Sequence, residues 1–348
     1  GMEVPGKRDE GRCMEKGKKR ILRRRIVWGV CGLFVLFCIG MTIDYWGYPY
    51  SASMGGRSFN RGENGLWLRY KWYFGEHSDA ERRALASDLH DRQIPYAYFH
   101  VRFIGKSGKL AFRYPQQARA LTAGLHREAP GVKLIAWVYV SYGGTKSDVP
   151  LADVKTRQAM IAEAIWLVRD CGFDGVQWDV EPIADGDAGF LALMRETKVA
   201  LPPGTLLSTA TPMWAPAALQ QTGWSDAYFA QVAATCDQMA VMCYDSGYLT
   251  PRSYVWLVRQ QAIHVTHAAG QGNPKCRVLL GVPTYGKGFF SHNTHAETLT
   301  MALRGVREGL ADPGADISVF AGIAPFAEYT TSVQDWKVYE KLWLNASH

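Results

Sequence analysis

The segment Phe173-Asp174-Gly175-Val176-Gln177-Trp178-Asp179-Val180-Glu181-Pro182 decides how the rest of the chain is read. Val176, Trp178 and Val180 alternate with Gln177, Asp179 and Glu181, the period of two that marks a β-strand with one apolar and one polar face. Asp174-Gly175 opens the run and Pro182 closes it, as turn-type residues bound a strand. Trp178 then packs against a covering layer, while Gln177, Asp179 and Glu181 share the other face.

Short β-rich runs flank this strand on both sides. They cover residues 66–70, 94–101 and 133–140 before it, and 206–212, 238–245, 277–285 and 319–329 after it, so that with 175–182 there are eight. Amphipathic stretches with helix-start signals separate them. Ser78-Asp79-Ala80-Glu81 forms a capping box before Ala84, Leu85 and Leu89, and Thr331-Ser332-Val333-Gln334 precedes Trp336, Tyr339, Leu342 and Trp343. Strand and helix alternating eight times predict an α/β fold, a (β/α)8 TIM barrel. An open doubly wound sheet shares the alternation, but no Gly-rich phosphate loop follows the first run. Chemistry in a barrel sits at the strand C-termini, which singles out Asp179 and Glu181 on the interior face.

Two carboxylates two residues apart at the wet end of a strand repel each other, and partial burial raises the cost of ionising both. One of them is expected to hold a proton near neutrality and to act as general acid toward a leaving oxygen. An ordinary retaining glycosidase needs a second carboxylate as nucleophile, about 5–5.5 Å away. The seventh run, Leu280-Gly281-Val282-Pro283-Thr284-Tyr285-Gly286, has no acid. A lone acidic strand suits substrate-assisted hydrolysis, in which the sugar's own 2-acetamido oxygen attacks the anomeric carbon.

At this point a resemblance becomes specific. Asp174-Gly175-Val176-Gln177-Trp178-Asp179-Val180-Glu181 resembles the fourth-strand signature D-G-x-x-D-x-D-x-E, or its shorter form, of glycoside hydrolase family 18, the chitinase and endo-N-acetylglucosaminidase family. Met242-Cys243-Tyr244-Asp245 is similar to its M-x-Y-D, Gly281 to Gly286 to its G-x-P-x-Y-G, and Ser141-Tyr142-Gly143-Gly144 loosely to its S-x-G-G. The resemblance implies that Glu181 protonates the glycosidic oxygen, Asp179 orients and stabilises the acetamido group, and Tyr244 donates a hydrogen bond to its carbonyl. It implies a supporting place for Asp174 near the strand's start. Asp245 reaches a sugar hydroxyl or caps the next helix, and strict alternation points it away from Tyr244.

Gln177 departs from the family pattern, which has an Asp there. An amide can hydrogen-bond Asp179 but cannot share a proton with it. The family's eighth-strand Trp also lacks a counterpart, and Phe326 or Tyr329 stands in its region. Glu328, near the same mouth, reads as a rim salt-bridge partner or a sugar ligand. Rings suited to stacking on sugar faces are Trp72, Tyr73, Tyr98, Tyr139, Trp214 and Tyr285. His100 is expected as a buried, hydrogen-bonded imidazole. The expected partner is an N-acetylated glycan or a peptidoglycan-type polymer, with no cofactor and no metal, since no His/Cys/Asp grouping has ligand spacing. The alternative is a catalytically inactive, lectin-like barrel that binds such glycans.

Of the 348 residues, 47% are hydrophobic and 12% aromatic, enough for one barrel-sized core. Ten of the 39 Lys/Arg and four of the 32 acids fall in residues 1–25. That basic tail carries most of the net charge of +7, and the near-neutral remainder offers no nucleic-acid surface. Residues 26–43 are free of charge and long enough to cross most of a hydrocarbon core. The positive-inside rule then leaves the tail cytoplasmic and the barrel, residues 65–348, extracytoplasmic behind a linker at 44–64. The length of the span favours an anchor over a cleaved signal peptide. Seven cysteines are present; Cys171, Cys236 and Cys276 each precede a strand, and a Cys236–Cys276 bridge competes with buried thiols.

Overall fold

The computed structural model describes residues 7–48, 58–144, 148–286 and 291–345. It comprises two compact units, Gly1–Pro49 and Tyr50–His348. In the first, α1 (Lys7–Gly47) is one continuous helix, and its part Lys19–Gly47 is long and apolar enough to cross a membrane. Residues 49–57 of the expected linker lie outside the described residues.

The second unit is a parallel eight-stranded sheet in sequential order. Its strands are β1 (Gly65–Leu68), β2 (Tyr96–Phe103), β3 (Lys133–Ser141), β4 (Gly175–Glu181), β5 (Leu206–Thr211), β6 (Gln238–Met242), β7 (Arg277–Pro283) and β8 (Phe320–Phe326). Around it run α2 (Lys71–Phe74), α3 (Asp79–Asp91), α4 (Pro115–Glu128), α5 (Val154–Arg169), α6 (Ala188–Ala200), α7 (Asp226–Ala233), α8 (Pro251–Gly272), α9 (Leu299–Leu310) and α10 (Val333–Tyr339). This is the TIM barrel read from the alternation.

Local chemistry explains the boundaries. Ser78 accepts from Glu81 N while the Glu81 carboxylate accepts from Ser78 N, the predicted capping box. At α10 the N-cap is Ser332, which pairs in the same way with Asp335. β1 stops at Leu68, earlier than predicted, because Tyr70 already accepts a helical bond from Phe74 N. β6 stops at Met242, so Tyr244 and Asp245 lie on the loop above it.

Side chains and a main-chain bond close the seam between β8 and β1. The fully buried Asn64 accepts from Ile323 N and from Trp343 Nε1, and its amide donates to Gln93 O. On the other rim Glu328 N donates to Trp67 O. Without Asn64 the buried Ile323 N and Trp343 Nε1 would lack this acceptor, so the seam costs little. At the lower rim the Cys236 and Cys276 sulfurs lie 3.9 Å apart as buried thiols.

Inside the barrel, register sets the layers. Trp137, Gln177, Ser208 and Gln238 are consecutive cross-strand partners, and the next layer toward the mouth holds Tyr139, Asp179, Ala210 and Ala240. Trp178 faces outward and donates its indole N–H to Thr197 on α6, as alternation requires.

Candidate active site

β4 delivers the acidic pair. Gly175 lets β4 start close to β5, since a Cβ there would lie 2.5 Å from Leu206 O. Asp174, just before it, accepts from Leu134 N and from His126, holding the bottom of the strands together. It therefore sits at the opposite end of the strand from Glu181, a supporting place and not one facing a ligand.

Asp179 is buried and its Oδ2 accepts from Trp137 Nε1 at 2.7 Å. Its Oδ1 is sealed from water without a hydrogen-bond donor. Glu181, one layer higher, is partly exposed at the mouth. Burial, followed by the negative charge of Glu181, pushes the Asp179 carboxyl well above the usual range. Burial and the nearby Asp245 charge also raise Glu181, whereas its contact with Asp179 lowers it. The pair is thus built to hold one proton between two carboxyls.

Tyr244 enters from above β6. Its ring stacks on Phe326 at 5.0 Å between centroids and meets Trp67 edge-on at 6.4 Å. Gly281 makes this possible, for a Cβ there would come within 3.1 Å of the Tyr244 ring and 3.2 Å of Trp67. Burial, then the charges of Asp179 and Glu181, hold the phenol well above its ordinary pKa, so it remains a proton donor. Phe326, at the end of β8, supplies an apolar floor touching Trp67, Trp137, Tyr244 and Tyr285.

Asp245 corrects the alternation argument. It lies three residues beyond the end of β6 with φ +54°, where period-two alternation no longer applies, and its charge raises the Glu181 pKa. Tyr285 Oη donates to Asp245 Oδ1 at 2.8 Å, so the G-x-P-x-Y-G tyrosine serves as its holder. The cap of α8 is Thr250 and not Asp245. Behind Asp245, the buried side chains of His292 and Glu297 are hydrogen-bonded at 3.2 Å, with His292 Nδ1 3.8 Å from Asp245 Oδ1. One ligand-type atom of each of these three residues lies within 4.8 Å of the others, a grouping that sequence spacing did not disclose. Their bonds run to one another, to Ser246 and to Tyr285.

Gln177 does not approach substrate and does not hydrogen-bond Asp179. It is fully buried, accepts from Trp67 Nε1 at 2.8 Å and donates to Ser208 Oγ at 3.0 Å. Ser208 in turn donates to Gln238, which also accepts from Tyr98 Oη. Tyr98, fully buried in this network, is therefore core and not a sugar platform. Trp214 is half-buried on a different part of the rim, stacked on His264 and donating to Asp226. Glu328 is the rim salt-bridge partner of Arg69, at 3.0 Å. His100 stacks on Trp137 at 4.2 Å, and burial lowers its pKa to about 4. Trp137, His292 and Glu297 were not singled out from sequence. Period-two alternation on β3 would have placed Trp137 inward beside Gln177, whereas nothing local marks the other two.

The Glycosyl hydrolases family 18 model matches residues 70–346. A probable endochitinase of Caenorhabditis elegans is 27% identical over 188 residues, which cover 45% of this chain and 29% of that protein. The chain therefore spans under a third of the length of that curated relative. Among solved structures, the C-terminal domain of a putative chitinase from Desulfitobacterium hafniense superposes with TM-score 0.57 at 17% identity, covering 81% of this chain and 99% of that one. The Bacillus cereus spore cortex-lytic enzyme SleL superposes with TM-score 0.56 at 14% identity, covering 81% and 74%. These likenesses share the barrel, and the family match extends over all its strands but β1 and includes the β4, β6 and β7 motifs: the chain belongs to glycosyl hydrolase family 18.

Proposed function

We propose that the chain is a membrane-anchored glycoside hydrolase that cleaves glycans containing N-acetylglucosamine by substrate-assisted retaining hydrolysis. The observation that carries this reading is the buried Asp179 on β4, held by Trp137 and two residues before the mouth-exposed Glu181, with Tyr244 packed on Phe326 just beyond β6. Glu181, exposed to the mouth, gives its proton to the glycosidic oxygen as the bond breaks. Asp179, held by Trp137, turns the 2-acetamido group toward the anomeric carbon and balances the positive charge that develops on it. Tyr244 donates to the acetamido oxygen, and Asp245, fixed by Tyr285, accepts from a sugar hydroxyl. Water then opens the oxazolinium-type intermediate with Glu181 acting as base, which returns the original anomeric configuration. The basic tail and the helix Lys19–Gly47 support an anchor with the barrel outside the cytoplasm.

The test is the full chain in detergent, assayed on chitin oligomers, peptidoglycan and N-glycans, with Glu181→Gln alongside. Turnover with a β-configured first product, lost about 10²–10⁴-fold in the variant, supports the mechanism. Turnover of glycans lacking an acetamido group sinks it. A second reading, binding without turnover, draws on Gln177, whose amide is spent on Trp67 and Ser208 and supplies no acid beneath Asp179. A parent chain that binds chitin oligomers and leaves them intact would favour it.

A further inference from the structure

The β1–β2 side of the mouth holds features that the hydrolytic centre does not use. Between His100 and Phe103, β2 spends three residues where β3 spends two, from Trp137 to Tyr139. Arg102 takes up this bulge with φ +75°, a conformation unusual for a residue with a side chain. Bulges at barrel rims re-aim side chains next to active sites. A tight hairpin fixes the result, with Ala111 N donating to Phe103 O, Gly105 N to Lys109 O, and Ile104 N to Tyr139 O.

The guanidinium of Arg102 sits over the ring of Tyr70 at 4.6 Å and over that of Phe112 at 5.1 Å. Ring faces meet the guanidinium through their π-systems and leave its N–H donors for other partners. No acceptor or carboxylate among the described residues meets them. The neighbouring arginines differ, for Arg69 is matched to Glu328 and Arg113 to Glu163. Exposed Lys106 and Lys109 add positive charge on the same hairpin. Tyr70, Phe103 and Phe112 are each more than a third exposed, and Phe103 packs edge-on against Phe112. Phe103 pairs with Tyr139, which pairs with Asp179, so this ring lies about two strand spacings, roughly 10 Å, from the catalytic strand.

We propose that Arg102, cradled by Tyr70 and Phe112 beside Phe103, forms a subsite for a sugar bearing a carboxylate. The bound polymer is then an anionic one in which N-acetylglucosamine alternates with an acidic sugar. The rings take the apolar sugar face, and the free edge of the guanidinium takes the carboxylate in a two-pronged bond. This rests on the glycan-binding reading above. It deepens that reading by naming the substrate class, and it is read by binding, so it holds whether or not turnover occurs.

Calorimetric titration of the full chain in detergent separates the possibilities. The ligands are chitohexaose, a hexasaccharide alternating N-acetylglucosamine and N-acetylmuramic acid, its amidated form, and a hexasaccharide alternating N-acetylglucosamine and glucuronic acid. The parent is expected to bind at least one acidic oligomer more tightly than chitohexaose, and amidation is expected to remove the muramic-acid preference. A preference for one acidic oligomer identifies the source of the carboxylate, and a preference for both supports the subsite equally. Arg102→Asn, chosen because Asn tolerates left-handed backbone, should cut the acidic-to-neutral affinity ratio about tenfold or more. Arg102→Lys should keep part of it. An acidic-to-neutral ratio of one in the parent, or a ratio unchanged in Arg102→Asn, overturns the subsite while leaving the function standing. A parent that binds none of the four overturns both.

Discussion

Asp179→Asn is expected to move stability and activity in opposite directions. With both carboxyls ionised, Asp179 Oδ1 is buried without a donor, and an unsatisfied buried polar atom costs about 1–3 kcal/mol. Asparagine keeps an acceptor for Trp137 Nε1 and turns an N–H toward Glu181, so the orphaned lone pairs and the like-charge repulsion both disappear. At about 2–4 °C per kcal/mol the gain in Tm is a few degrees. Its pH dependence follows from the raised carboxyl pKa in the folded state. The preference of the fold for protonated Asp179 is present in full below the unfolded value near 4, and is lost as pH rises through the higher folded value. The advantage of the Asp179→Asn variant is therefore small at pH 4 and grows toward pH 8. Hydrolysis should fall about 10²–10³-fold, because the positive charge developing beside the anomeric carbon loses its counter-charge. Scanning calorimetry at pH 4, 6 and 8, with turnover on chitin oligomers, reads both. A Tm that drops at pH 8, or a difference that does not change with pH, would refute the desolvated-carboxyl argument.

Tyr244→Phe keeps the ring against Phe326 and loses one donor, so kcat/KM should fall about 10–100-fold while stability changes by less than about 1 kcal/mol in urea titrations. Gln177→Ala strands the Trp67 indole N–H in the core and removes the donor to Ser208, which keeps its bond to Gln238, an expected loss of about 2–5 kcal/mol visible as a lower urea midpoint. His292→Ala leaves Glu297 Oε2 buried without its ring partner, at a cost of about 1–3 kcal/mol, and opens space behind Asp245, so KM on chitin oligomers should rise several-fold. If KM stays at the parent value, His292 acts on stability alone.

The barrel and its acidic strand were legible because their determinants are local. Alternation over residues 175–181 places Asp179 and Glu181 inward whatever their neighbours, and eight strand and helix alternations leave few architectures open. Glycines at 175 and 281 were legible only as members of their motifs; the close approaches they permit, to Leu206 and to Tyr244 and Trp67, belong to the fold. Tertiary structure decided what those side chains touch. Gln177 finds Trp67, 110 residues away, and so is withdrawn from Asp179. Asp245 meets Tyr285 from a loop where the strand has ended three residues earlier and φ is positive, a break in period that no count of residues announces. His292 and Glu297 reach it from the loop after β7, and Arg102 is re-aimed by a bulge that exists only as a mismatch between two strands. Periodicity is a property of one segment, whereas hydrogen-bond partners, bulges and buried charge pairs depend on which segments the closed barrel brings side by side.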